Sequence, residues 1–274
     1  WYDPSSKKRA AWMLALAAAV SILLFAGFFY QMVWAEAATR GARLGVGRTL
    51  SSWGLGILAN PGTADPLQFG LDRGGTVVDR VQLVLQPAAW WTQGDPRKAF
   101  PLAVVIAGDL VAHEESPDDH GTWDRGDARN AIAALLYRTP ALELGAYGVI
   151  RSEEDSHGLE LDARLVDLYG AWSTERLGWK LRVSGEGALA WGATNWLRTA
   201  SQPDAMDILQ YGGALRLDVS RKWVQARLET GLASNDGRPL DGTLGAFSFA
   251  DDYRVGLVLF PHYVREQTLT TALN

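Results

Sequence analysis

The sequence has no cysteine, 3 Met and 4 His among its 274 residues. Without thiols there is no disulfide framework, no Cys-ligated zinc site and no iron–sulfur cluster. The histidines (His113, His120, His157 and His262) never stand at i, i+4 or HExxH spacing, so no metal is expected. Positive charge is also sparse. The 26 Lys and Arg are outnumbered by 31 Asp and Glu, giving a net charge of −5, and no basic cluster follows residue 10, which excludes a nucleic-acid-binding face.

The short motifs of enzymes are missing too. Gly45-Val46-Gly47-Arg48 and Gly54-Leu55-Gly56 do not extend to a GxGxxG or Walker pattern, and Ser51-Ser52-Trp53-Gly54 lacks the GxSxG of a nucleophile elbow. The acidic run Asp118–Asp127 lacks the ligand spacing and terminal Glu of an EF-hand and reads as a solvated external loop. From these absences the chain reads as a non-enzyme without cofactor.

What is present is 12 Trp, 29 Gly and 47% hydrophobic residues, at a mean hydropathy of only −0.06. Apolar and polar residues are therefore interleaved. The one exception is the N-terminus, where Ser5-Ser6-Lys7-Lys8-Arg9 precedes a stretch without charge from Ala10 to Ala35. That stretch is long enough for a membrane-spanning helix, which needs about 20 apolar residues. Val33-Trp34-Ala35 before Glu36 also suits an export cleavage site. Residues 1–35 are expected to be a signal or anchor helix, and 36–274 a separate β region.

From about Arg43 onward, period-two alternation recurs in segments of about ten residues, the rhythm of barrel strands. In Leu177–Ala193 one face carries Leu177, Trp179, Leu181, Val183, Leu189 and Trp191, and the other Lys180, Arg182 and Glu186. The segment is about three times the usual length of a soluble strand. Further on, Tyr211, Leu215, Leu217 and Val219 oppose Arg216 and Asp218, and Val224, Ala226 and Leu228 oppose Arg227 and Glu229 across a tight Ser220-Arg221-Lys222 connection. Leu142, Leu144 and Ile150 oppose Arg151, and Leu159, Leu161, Ala163 and Leu165 oppose Glu160, Asp162 and Arg164, with a phase slip expected near Val166. Ala131–Tyr137, Gln31–Thr39, Ala42–Leu58, Thr76–Ala89, Ala103–Ala112 and Tyr253–Val264 are further candidate strands, about eleven in all. A single-chain bacterial barrel closes with an even number. The odd count, the start at Trp1 and the absence of an aromatic-ended last strand lead to the expectation of a barrel incomplete at one or both ends.

Val46-Gly47-Arg48 with Ser52–Asn60, Thr76–Val81, Asp167-Leu168-Tyr169-Gly170 and Phe249–Phe260 together resemble a family of outer-membrane β-barrels of myxobacteria and related proteobacteria, similar to alginate-export-type porins. The resemblance spans about residues 31 to 265. It implies a Gram-negative outer-membrane location and passage of a hydrophilic solute, in the fullest version a polysaccharide.

The expected architecture is therefore all-β: an antiparallel transmembrane β-barrel preceded by a hydrophobic helix, with outer-membrane lipid outside and a hydrophilic solute inside. Arg151, Glu160, Asp162, Arg164, Lys180, Arg182, Glu186, Arg216, Asp218, Arg227 and Glu229 are expected to line the channel, with the loop His113–Asp127 closing it. Three rivals accompany this reading: a salt-bridged, plugged interior with a purely stabilising role, an inner-membrane-anchored periplasmic β-rich binding domain, and an outer-membrane hydrolase, which has only the barrel in its favour and no motif.

Overall fold

The computed structural model describes residues 33–60, 76–92, 100–113, 128–154, 158–195, 205–237, 241–250, 253 and 268–273. The chain divides into two units, 1–33 and 34–274, and the architecture below is that of the second. The hydrophobic run at 10–30, the loop 114–127 and the candidate strand beyond Tyr253 lie outside the described residues.

The described part is an antiparallel sheet. Its strands are β1 (Trp34–Thr39), β2 (Ala42–Leu50), β3 (Val77–Leu85), β4 (Leu102–His113), β5 (Arg129–Arg138), β6 (Leu142–Glu154), β7 (Glu160–Arg176), β8 (Trp179–Thr194), β9 (Met206–Arg221), β10 (Val224–Ala233), β11 (Thr243–Leu244) and β12 (Thr268–Leu273). One helical turn, α1 (Ala88–Trp91), follows β3. Each strand from β1 to β10 pairs with the next in sequence, β12 pairs with β10, and the two-residue β11 lies parallel to β9. Among the described residues no pairing joins β1 to β12, so the sheet is open at that seam.

The two ends of the sheet differ. Connections at one end are tight except for β3–β4, which spans residues 86–101: β7 turns into β8 through Leu177 and Gly178, at φ 53° and 76°, and β9 into β10 through Lys222 and Trp223. Two successive left-handed residues match the twist of a two-residue hairpin, and Gly178 takes that conformation without steric cost. The connections β2–β3, β4–β5, β8–β9 and β10–β12 at the other end are long. Short periplasmic turns and long external loops are the pattern of outer-membrane barrels.

The two faces differ as well. On β7, Val166, Leu168 and Trp172 point away from the interior and are exposed, while Asp167 and Ala171 between them are buried. The same reversal holds around the sheet. Val46, Val81, Ile106, Leu135, Ile150, Val183, Leu189, Leu215 and Leu228 are exposed, whereas Asp109, Ser184, Glu186 and Glu229 are buried. A water-soluble sheet would bury the first set and expose the second; lipid outside and polar matter inside stabilise the arrangement observed.

Two sequence expectations change here. The segment Ala42–Leu58 is not one strand: β2 ends at Leu50, and residues 51–60 leave the sheet and fold back over its concave face. The cause is Gly54, whose φ of 54° breaks the extended run. Nor does β7 slip phase near Val166; its register with β6 and β8 is continuous.

Candidate functional site in the barrel interior

The concave face is set by strand parity. It receives Arg80 from β3, Asp109 from β4, Glu143, Tyr147 and Arg151 from β6, Asp167 and Tyr169 from β7, Lys180, Arg182 and Glu186 from β8, Arg216 and Asp218 from β9, and Arg227 and Glu229 from β10. Half of these charges are matched across adjacent strands. Arg216 stands directly opposite Glu229 in the β9–β10 register and bonds it at 3.0 Å; Arg227 is opposite Asp218, at 2.7 Å. Arg80 and Asp109 are likewise in register and form two parallel hydrogen bonds of 2.7 Å. Arg151 bonds Glu153 at 2.7 Å, and Arg182 donates to the Tyr169 hydroxyl at 2.9 Å and lies 3.3 Å from Glu143. Register thus converts buried charges, each costly alone, into satisfied pairs.

Three of the residues expected to line the lumen do not face it. Because β7 keeps its phase, Glu160, Asp162 and Arg164 share the outward face of Val166 and Leu168. Asp162 accepts a bond from Ser152 Oγ at 2.9 Å on that surface. These polar residues extend the strand beyond the apolar band rather than line the interior. Lys180 lies on the inward side but at the tight-turn end, where it is exposed.

Residues 51–60 form the deepest feature of the interior. Trp53 stacks on Tyr147 with ring centroids 4.9 Å apart, and its indole N–H donates to Asp167 Oδ1 at 2.9 Å. One step on, Glu186 Oε2 accepts the backbone N–H groups of both Leu55 and Gly56, the latter at 3.1 Å. Gly54 between them has no room for a side chain, since a Cβ there would lie 2.5 Å from a Glu186 carboxylate oxygen. The segment is tethered at its start by Arg80, which donates to Ser51 Oγ at 3.1 Å.

A second inward segment meets the first. Ala250 N–H donates to Ile57 C=O at 2.7 Å, and Ile57, Phe247 and Tyr253 cluster with Ala188 and Ala214 of the wall. The Tyr253 hydroxyl donates to Glu229; burial first, and the carboxylate beside it second, push that phenol well above its ordinary range, so it remains a donor. Between these segments and the tight-turn end is a cavity of about 530 Å³ lined by Trp53, Arg138, Glu143, Tyr169, Arg216 and Tyr253, among others.

Motif inspection missed Arg80, Asp109, Glu143, Asp167 and Tyr169. The available signal was a lone charge inside an apolar strand, as in Leu165-Val166-Asp167-Leu168.

A meander of consecutive antiparallel strands with an apolar outer face and a charged inner face defines a β-barrel protein of the bacterial outer membrane. No family model matches the chain, and no curated protein does, so the likeness to myxobacterial and alginate-export barrels has no counterpart there. Among solved structures, the chain is similar to OmpT, an outer membrane protein of Vibrio cholerae. The loop L8 deletion mutant matches at 12% identity and TM-score 0.39, over 74% of this chain and 56% of that one. The in-vitro folded form matches at 12% and 0.38, over 80% and 58%. The outer-membrane expressed form matches at 15% and 0.34, over 79% and 75%. The chain thus spans little more than half the length of the first two. The likeness is one of architecture, and the membrane assignment rests on this chain's own strands. Missing motifs do not exclude catalysis, and the reading as a non-enzyme is withdrawn: the fold brings together Asp167 and Glu186, an interior acidic pair that no local motif contains.

Proposed function

We propose that the protein is an outer-membrane channel that passes a hydrophilic solute, with its narrowest section at residues 51–60. The observation that carries this reading is the cavity of about 530 Å³ on the tight-turn side, bounded by charged and phenolic side chains and roofed by that segment. A wall whose inner charges are paired across strands costs little to hydrate on one side and favours polar over apolar cargo. Passage of a polysaccharide, implied by the alginate-export likeness, is the bulkiest form of the same reading and requires the segment to move aside.

The purely stabilising plug does not account for a cavity left between plug and turns. The anchored periplasmic domain would need a second sheet over the exposed apolar face, and among the described residues there is one sheet only.

The test is reconstitution of the heat-modifiable, folded protein in planar lipid bilayers, with swelling of liposomes in sugars of graded size. Discrete conductance steps and swelling that falls off with solute size are expected. Folded protein that leaves conductance at the lipid baseline, even with residues 52–58 replaced by a Gly/Ser linker, overturns the reading.

A further inference from the structure

We propose that Glu186 is the retaining residue of the constriction: one carboxylate oxygen holds residues 51–60 in the lumen, and release of that grip opens the channel. This inference rests on the channel reading above.

The geometry singles out Glu186 among the interior acids. Asp109, Asp218 and Glu229 each have an Arg partner across the neighbouring strand. Glu186 has no such cation among its bonds; it receives two consecutive backbone N–H groups of the segment instead. Successive N–H groups converging on one carboxyl oxygen form a small nest, in which two donors share one acceptor. Gly54 completes it. Its left-handed φ of 54° turns the Leu55 and Gly56 amides toward the wall, and the missing Cβ leaves room for the carboxylate. Asp167 acts on the same segment from the next strand, through the Trp53 indole.

The rest of the grip is weaker and leaves the segment separable from the wall. Toward the second inward segment, Ile57 contributes one backbone bond, with apolar contacts around it. Toward β3, Ser51 contributes a hydroxyl that accepts from Arg80 and a backbone N–H that donates to Thr76 C=O at 2.9 Å, both at the root of the segment and away from its tip. The Glu186 nest and the Trp53–Asp167 bond with its stacking on Tyr147 are the two attachments that bind the tip of the segment.

Two substitutions reach the same grip by different routes. Glu186→Ala removes the acceptor; Gly54→Ala leaves it in place but puts a methyl group against it and strains the backbone. Single-channel recording on both is expected to show the frequency of fully open events raised about tenfold or more over the unsubstituted protein, the shift that loss of two hydrogen bonds of ordinary net strength implies. Glu186→Gln, which keeps one acceptor oxygen, should fall between. Electrophoretic heat-modifiability confirms that each variant is folded, and Thr174→Ser, on the outer face of β7, is the control expected to leave gating unchanged.

Folded Glu186→Ala and Gly54→Ala variants whose open frequency and conductance match the unsubstituted channel overturn the retaining role and leave the channel reading standing. Absence of conductance in every variant, including the Gly/Ser replacement, removes the channel reading itself.

Discussion

A single arginine placed on the outer face of β7 tests the membrane assignment most directly. The outward residues of this strand read, from the loop end, Glu160, Asp162, Arg164, then Val166, Leu168, Gly170, Trp172, then Thr174 and Arg176. At a rise of about 3.4 Å per residue and a tilt of about 40°, each residue advances about 2.6 Å along the membrane normal. The ten steps from Arg164 to Thr174 therefore cover about 26 Å, which matches the apolar band of about 25 Å of outer-membrane barrels. Leu168, 60% exposed, lies close to the middle of that band. Leu168→Arg is expected to cost about 2–4 kcal/mol, falling to about 0–1 kcal/mol for the same change at Thr174. The assay is reversible guanidinium unfolding in phospholipid vesicles, followed by tryptophan fluorescence. Equal costs at Leu168 and Thr174 would refute the bilayer placement, because a sheet buried by protein has no depth profile centred on residue 169.

Two further outcomes follow from the interior and from the turns. Arg80→Ala strands Asp109, only 4% exposed, without its bidentate partner, and should lower stability by about 3–5 kcal/mol in the same unfolding assay; Arg80→Ala combined with Asp109→Ala should recover most of that loss. Leu177 is a non-glycine residue at φ 53° and 84% exposed, so Leu177→Asn should raise stability by about 1 kcal/mol, read as a higher denaturant midpoint with unchanged slope.

The long strands were legible because both faces repeat over many residues. On β8 and β9 the sequence separates Trp179, Leu181 and Val183 from Lys180 and Arg182, and Leu215 and Leu217 from Arg216 and Asp218, without ambiguity. The polar end of β7 was misassigned for a physical reason. Alternation shows that two faces differ, but not where along a strand the lipid stops; beyond that level the outer face is wet and becomes polar like the inner one. Ion pairing was illegible for want of register. Placing the β9–β10 turn at Ser220-Arg221-Lys222 rather than at Lys222-Trp223 shifts every partner, and only the observed turn sets Arg216 against Glu229 and Arg227 against Asp218. The inward path of residues 51–60 is fixed by Glu186 and Asp167, more than a hundred positions away, and no local window contains them.

That distance also bears on how the molecule is put together. Strand by strand, the wall closes between consecutive segments, so most contacts form over short loops at low entropic cost and the meander grows one hairpin at a time. Residues 51–60 are made early, beside β2, but their partners on β6, β7 and β8 exist only once more than half of the sheet is in place. The lumen is therefore filled only once β6 to β8 are in place, and a chain halted before β6 would carry the tip of the segment without any of these anchors.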